Sequence, residues 1–201
     1  MRTDPALTRR FEAVAADVYE PLQRYLRRRA SADDAGDVLA DTLLTVWRRL
    51  DDVPTDDPLP WCYGVARRSL ANHRRSRGRR ERLTERVISH RLPGDDGDPQ
   101  HRIDRLDPTL AEAIGTLSPA EQEIVHLWAW EQLEPREIAI VLDQTPNAVS
   151  VALSRSRRKL ADHLTSQTND TQSTNSRRPR QDRTGAGQER VGDTVELGEE
   201  A

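Results

Sequence analysis

The stretch SPAEQEIVHLWAWEQLEPREIAIVLDQTPNAVSVALSRSRRKLADHL, Ser118 to Leu164, holds three helix-start signals in one short span. Ser118-Pro119-Ala120-Glu121 reads as a capping box with proline at the first helical position. Pro135 opens a second helix in the same way, and Thr145-Pro146 a third, with Thr145 as its N-cap. Only Asp143-Gln144 separates the last two helices, after the apolar Ile138, Val141 and Leu142. That spacing predicts a helix-turn-helix, whose second helix fits a DNA major groove. Ala139 is small enough for the last helix to cross closely. Val149, Leu153 and Leu160 face inward at helical spacing, and Asn147, Ser150, Ser154, Arg155, Arg157, Arg158 and Lys159 lie opposite. A helical bundle with a solvated basic face would share parts of this pattern. The three starts, the tight turn and the basic final helix together favour a DNA reader.

Charge is distributed unevenly. The formal net of −3 over 201 residues hides a run from Arg67 to Arg91 with ten arginines against Glu81 and Glu85, a net of +8. From Ser31 to Pro60 there are eight aspartates against Arg48 and Arg49, a net of −6. One stripe suits nucleic acid and the other a basic protein surface. Lys159 is the only lysine, so the arginines carry a coding bias; their clustering, not their number, is informative. The single cysteine, Cys62, excludes an internal disulfide and supplies no metal cluster. No apolar run approaches ~20 residues and no signal-peptide core is present, so a cytoplasmic protein without membrane insertion is expected.

The amino-terminal part reads as helical. Phe11, Val14, Val18, Leu22, Tyr25 and Leu26 recur at helical spacing, with Pro21 predicting a kink or two helices. A second helix is expected from Asp33 to Leu50, burying Leu39, Leu43, Val46 and Leu50 and showing Asp37, Asp41, Leu44 and Arg48 on another face. Asp51–Pro60, with three prolines and four aspartates, is a loop. A third helix starts near Pro60-Trp61 and runs into the arginines, with Gly78 as a weak point. The expected fold is all-α: a helical unit over 1–92, a flexible acidic linker over 93–107, a helix-turn-helix unit over 108–164 and a disordered tail over 165–201.

Read together, DAGDVLADTLLTVWRRL, the acidic loop, PWCYGVARRSLANHRRSRGRRERL and the downstream helix-turn-helix resemble the bacterial sigma factors of the sigma-70 family. The closest likeness is to the small extracytoplasmic-function (ECF) type, and it covers about Phe11 to Leu164. The matching residues are Asp37, Asp41 and Trp47; Trp61, Ala66, Arg67, Asn72 and the arginine run; then Leu117-Ser118-Pro119, Glu121, Glu123, Glu137-Ile138-Ala139, Val149 and Leu153.

The resemblance implies that Asp37, Asp41, Leu44, Trp47 and Arg48 meet core RNA polymerase, with carboxylates for steering and an apolar anchor. For Trp47 alone a core position is favoured over contact. It implies that Trp61, Arg67, Arg68, Asn72, His73, Arg74 and Arg75 recognise and help open the −10 element. Opening needs a hold on an unstacked base and cations along a single strand. Trp61 and Tyr63 suit stacking, though for Trp61 the core is favoured; a merely solubilising arginine face is the competing reading of the run, disfavoured because solubility does not need +8 in 25 residues. The linker, with Asp95, Asp96 and Asp98, would pass the polymerase active-site channel; a simple tether suffices for the sequence itself. Thr145, Asn147, Ser150, Val151, Arg155 and Arg158 would read the −35 element, early positions on base edges and Arg155 and Arg158 on phosphate. The family often has basic residues at Ser150 and Ala152 and glycine at Asp143, so weaker or altered −35 binding is expected here. Many relatives are restrained by an anti-sigma protein, a partner implied by resemblance alone. No cofactor is implied.

A free-standing helix-turn-helix regulator is the alternative, but its amino-terminal half should offer a ligand pocket or dimer seam. An enzyme is disfavoured: Asp37 and Asp41 have no nearby histidine, and the five histidines are scattered. A pure protein-interaction module leaves both basic units unexplained. Trp128 and Trp130 receive no role from the sequence.

Overall fold

The computed structural model describes residues 4–85 and 107–175, and all regular structure among them is helical. Helix α1, Pro5–Arg27, begins where the Asp4 carboxylate accepts from the Ala6 amide at 2.9 Å, with Pro5 in the first turn. Pro21 lies inside this helix, so of the kink or division expected there, the division into two helices does not occur. A proline removes one backbone bond; here Val18 on one side and Leu22, Tyr25 and Leu26 on the other are buried in the same core, which anchors the helix on both sides of Pro21. Helix α2, Ala32–Arg48, is capped by Ser31, whose hydroxyl accepts from the Asp34 amide at 3.2 Å. It buries Ala35, Val38, Leu39, Thr42 and Val46, with Leu43 partly covered. Leu50–Asp52 forms a single 3-10 turn within the acidic loop. Helix α3 spans Leu59–Glu85, passing through Gly78.

Among the described residues the second unit holds four helices. Helix α4, Pro108–Gly115, was not anticipated; at eight residues it is too short to show a periodic stripe, but Asp107 caps it through the Thr109 amide at 2.9 Å. Helix α5 is Pro119–Trp130, α6 Pro135–Leu142 and α7 Pro146–Asn175. The capping box at Ser118–Glu121 is present in both directions. Helix α7 continues past Leu164 to Asn175, so residues 165–175, expected in a disordered tail, are helical; no glycine or proline interrupts them. The acidic stretch 93–106 and residues 176–201 lie outside the described residues.

Helices α1, α2 and α3 pack on one another, while α7 gathers α4, α5 and α6. The two units also touch, through α3 against α6. That contact explains an irregularity in α3. Residues Cys62 to Ala66 are all buried, whereas a helix with one covered face shows an exposed residue within every turn. The first unit covers one side of this segment and α6 covers the other.

Candidate nucleic-acid and polymerase interface

Helix α2 places Asp37, Asp41, Leu44 and Arg48 along one exposed stripe at spacings of four, three and four residues. Leu44 is 43% exposed, an apolar side chain with no core to join. Among the described residues neither Asp37 nor Asp41 pairs with a cation. Trp47 stands apart from them: its ring meets Phe11 edge-on at 5.1 Å, which ties it to the packing of α1 on α2.

That stripe forms one wall of a polar groove of about 560 Å³ whose other wall is α3, through Ser69, Asn72, His73, Ser76 and Arg77. The residues expected on polymerase and several expected on the −10 element thus share one concavity. Within it, Asp34 accepts from Arg77 at 2.7 Å and meets His73 Nε2 at 2.9 Å. Burial pushes the Asp34 carboxyl up, but hydrogen bonds from His73 and Ser31 and the Arg77 charge outweigh this and hold it below the usual range.

The arginines of α3 divide by partner. Arg74 donates to the Arg29 carbonyl, bracing the α1–α2 connection, and Arg75 donates to Asn72 Oδ1. Arg67 and Arg68 project outward. Trp61 is half-buried beneath the Arg49 guanidinium, whose carbon stands 5.4 Å from the ring centre. Tyr63 is buried, 5.0 Å from the Tyr25 ring. These internal partners, 39 and 45 residues away for His73 and Arg74, had no local signal in the sequence.

The helix-turn-helix is built as its punctuation predicts. Asp143 closes α6 in the left-handed region, φ 55°, and the Gln144 amide donates to the Ala139 carbonyl at 3.0 Å. Thr145 Oγ1 accepts from the Ala148 amide at 3.3 Å. Val149 and Leu153 are buried, which turns Asn147, Ser150, Val151, Arg155 and Arg158 outward on α7. Val151 is 41% exposed. The Ser150 hydroxyl donates to the Pro146 carbonyl at 2.8 Å, so it presents an acceptor rather than a free donor. Two residues of the expected basic face are turned to other uses. Lys159 donates to Glu121 at 2.7 Å, and Arg157 covers the ring of Trp128 at 4.8 Å. Trp128 is 38% exposed beneath it, while Trp130 meets His126 edge-on at 4.5 Å.

A basic helix beside an acidic stripe, joined to a helix-turn-helix with an open reading face, defines a two-part DNA reader of the transcription machinery. Comparison with known proteins gives the family. Sigma-70 region 2 matches residues 11–80 and sigma-70 region 4 matches residues 109–160. The RNA polymerase sigma-E factor of Streptomyces avermitilis is 31% identical over 136 residues, 66% of this chain and 72% of the relative. The fold is shared with the sigma factor RpoE of Bartonella quintana, crystallised with the anti-sigma factor NepR. That likeness has a TM-score of 0.53 at 21% identity and covers 77% of this chain and 96% of that one. CnrH, in complex with the cytosolic domain of CnrY, has a TM-score of 0.50 at 24% identity over 78% of this chain and 88% of that one. The chain belongs to the sigma-70 family of RNA polymerase sigma factors, in its ECF group. It is a transcription initiation factor that directs polymerase to promoters through −10 and −35 elements. No helix among the described residues is long and apolar enough to cross a membrane.

Proposed function

We propose the following division of labour among the residues of this sigma factor. Asp37, Asp41, Leu44 and Arg48 dock on a basic and partly apolar surface of core RNA polymerase, with Trp47 holding α2 on α1 behind them. Arg67, Arg68, Asn72 and Arg75 contact the −10 element from α3. His73 and Arg74 set the position of that helix through Asp34 and the Arg29 carbonyl, and Trp61 lies at the rim of the same surface. On α7, Asn147, Ser150 and Val151 meet base edges of the −35 element, with Thr145 at the helix start and Arg155 and Arg158 on phosphates. The observation that carries this reading is the single groove joining the unpaired α2 carboxylates to the α3 polar face. Protein and DNA contacts on adjoining walls would let polymerase binding and promoter opening act together.

The setting follows from the relatives. Two structural neighbours were solved with proteins bound to them, one described as an anti-sigma factor, and a regulator of that kind is a natural partner here. The protein works in the cytoplasm, where its polymerase and promoters are. The test is transcription from a promoter library with purified core polymerase. Wild type should bind core and give run-off product. Asp37→Arg should weaken core binding while the helical spectrum and melting temperature stay unchanged. Asn147→Ala should alter −35 preference and leave core affinity intact. Equal loss of both activities in either variant would sink the assignment.

A further inference from the structure

The reading face of α7 has a fixed order of groups. Asn147, Val151, Ser154 and Arg158 follow at spacings of four, three and four residues, which stacks them on one side of the helix. All four are exposed, and Ser150 and Arg155 flank them, exposed as well. Val149 and Leu153 are buried behind them. The first cation of α7 is Arg155, so Pro146 to Ser154 carry none. The cations nearest to this face are engaged elsewhere: Arg136 of α6 meets Glu134 at 3.1 Å, Arg157 lies over Trp128 and Lys159 donates to Glu121.

What the early turns offer is specific. The Ser150 hydroxyl gives its proton to the Pro146 carbonyl at 2.8 Å, so its oxygen has only lone pairs to present. Val151, 41% exposed, presents methyl groups. The Asn147 amide presents a donor and an acceptor side by side, and among the described residues its side chain has no internal hydrogen bond. The major groove asks for such groups base by base. Guanine shows two acceptors, N7 and O6, which the paired donors of one arginine or lysine match. Adenine shows an acceptor at N7 beside a donor at N6, which one amide matches. Thymine shows a methyl group. The start of a recognition helix is the part that meets base edges. In α7 that part suits adenine and thymine and has no partner for the guanine pair of acceptors.

We infer that α7 reads adenine–thymine pairs, with Asn147 on adenine, Val151 on a thymine methyl and Ser150 accepting from a base amino group, and that guanine is not a recognised base there. The inference rests on the assignment of α7 to the −35 element above and gives that element a sequence class. Asn147 and Val151 stand about 6 Å apart along the helix, at ~1.5 Å per residue. Base pairs follow every ~3.4 Å, so the adenine and the thymine fall within two or three neighbouring pairs. Arg155 and Arg158 come later on the helix and hold it to phosphates without choosing a base.

The test uses core polymerase loaded with the full-length chain. Genomic fragments that give run-off product are identified, and in one of them the protected duplex at −35 is randomised. Product from wild type should be enriched in an adenine and a thymine within two or three neighbouring pairs, about five- to hundredfold over the other bases. Asn147→Ala should flatten the adenine preference and keep the thymine one, and Val151→Ala should do the reverse, each with wild-type helical spectrum and melting. Two base replacements probe the wild-type protein alone. At the preferred positions, 7-deazaadenine removes N7 and deoxyuridine removes the methyl group, and both leave the minor groove unaltered. Each should weaken binding of the loaded polymerase. A guanine-dominated preference overturns the inference, as does a flat one in which Arg155→Ala still lowers product. An adenine–thymine preference that survives both replacements also overturns it, since duplex stiffness rather than base edges then decides. Folded Asn147→Ala and Val151→Ala with wild-type preferences overturn it too. No run-off from any fragment, or equal product from every randomised duplex and from Arg155→Ala, instead overturns the assignment of α7 to the −35 element, and the inference with it.

Discussion

Glu121 is held ionised by contacts from two directions. The Lys159 ammonium, then the Ser118 amide and hydroxyl, lower its carboxyl from 4.5 to about 2. A carboxyl depressed by folding adds stability that is complete above its unfolded value, near 4.5, and is lost as pH falls toward about 2. Lys159→Met should therefore melt lower than wild type near neutral pH, and the gap should narrow as pH falls through that window. A gap that stays constant down to about pH 2 would refute the assignment. Cys62 gives a second prediction. Burial pushes its thiol up to about 12, so a disulfide reagent at neutral pH should modify the native protein only as fast as it opens. Immediate stoichiometric labelling would show that the site is not closed. At this scale the sequence was clear where the helical period decides exposure, as for Asn147, Ser150 and Arg155 against buried Val149 and Leu153. It was silent where a partner comes from another element. His73 and Arg74 stand in an arginine-rich run that reads as one basic face, yet each is engaged by atoms far along the chain.

Among the elements, the turn between α6 and α7 offers the sharpest experiment. Asp143 adopts φ 55°, a conformation that glycine occupies without the Cβ penalty, although glycine also loses more freedom on folding. Asp143→Gly should raise stability by no more than about 1 kcal/mol in thermal or urea melts, leaving the α7 reading face unchanged. A clear loss would mean that the carboxylate supports the turn in another way. At the start of α5, Ser118→Ala removes one half of the capping box and should cost about 1 kcal/mol. The starts of α5, α6 and α7 were legible from punctuation, because Ser118-Pro119, Pro135 and Thr145-Pro146 mark them locally, whereas the same kind of signal at Asp107-Pro108 went unread and α4 with it. Helix ends were less so. Pro21 did not divide α1, Gly78 did not stop α3 and polar composition did not stop α7, since packing or the absence of a breaker prevailed over local preference.

For the molecule as a whole, affinity and reach are separate quantities. Arg155→Ala should weaken −35 binding similarly across sequences and reduce the slope of log affinity against log salt by about 1. An unchanged slope would remove Arg155 from the phosphate contacts. The two-unit plan was readable from the acidic helix, the arginine run and the helix-turn-helix. The face between the units was not: the α3 segment from Cys62 to Ala66 carries no pattern that separates an intra-unit core from a surface covered by α6, because either partner buries the same residues. Lys159 has a different implication. It is the chain's only lysine, and the structure turns it to Glu121 rather than to DNA. Acetylation, which weakens many DNA-binding proteins by neutralising phosphate contacts, would here loosen α5 from α7 and leave the arginine contacts charged. Loss of that charge removes an ion pair between α5 and α7 and takes no arginine from the outward face of α7.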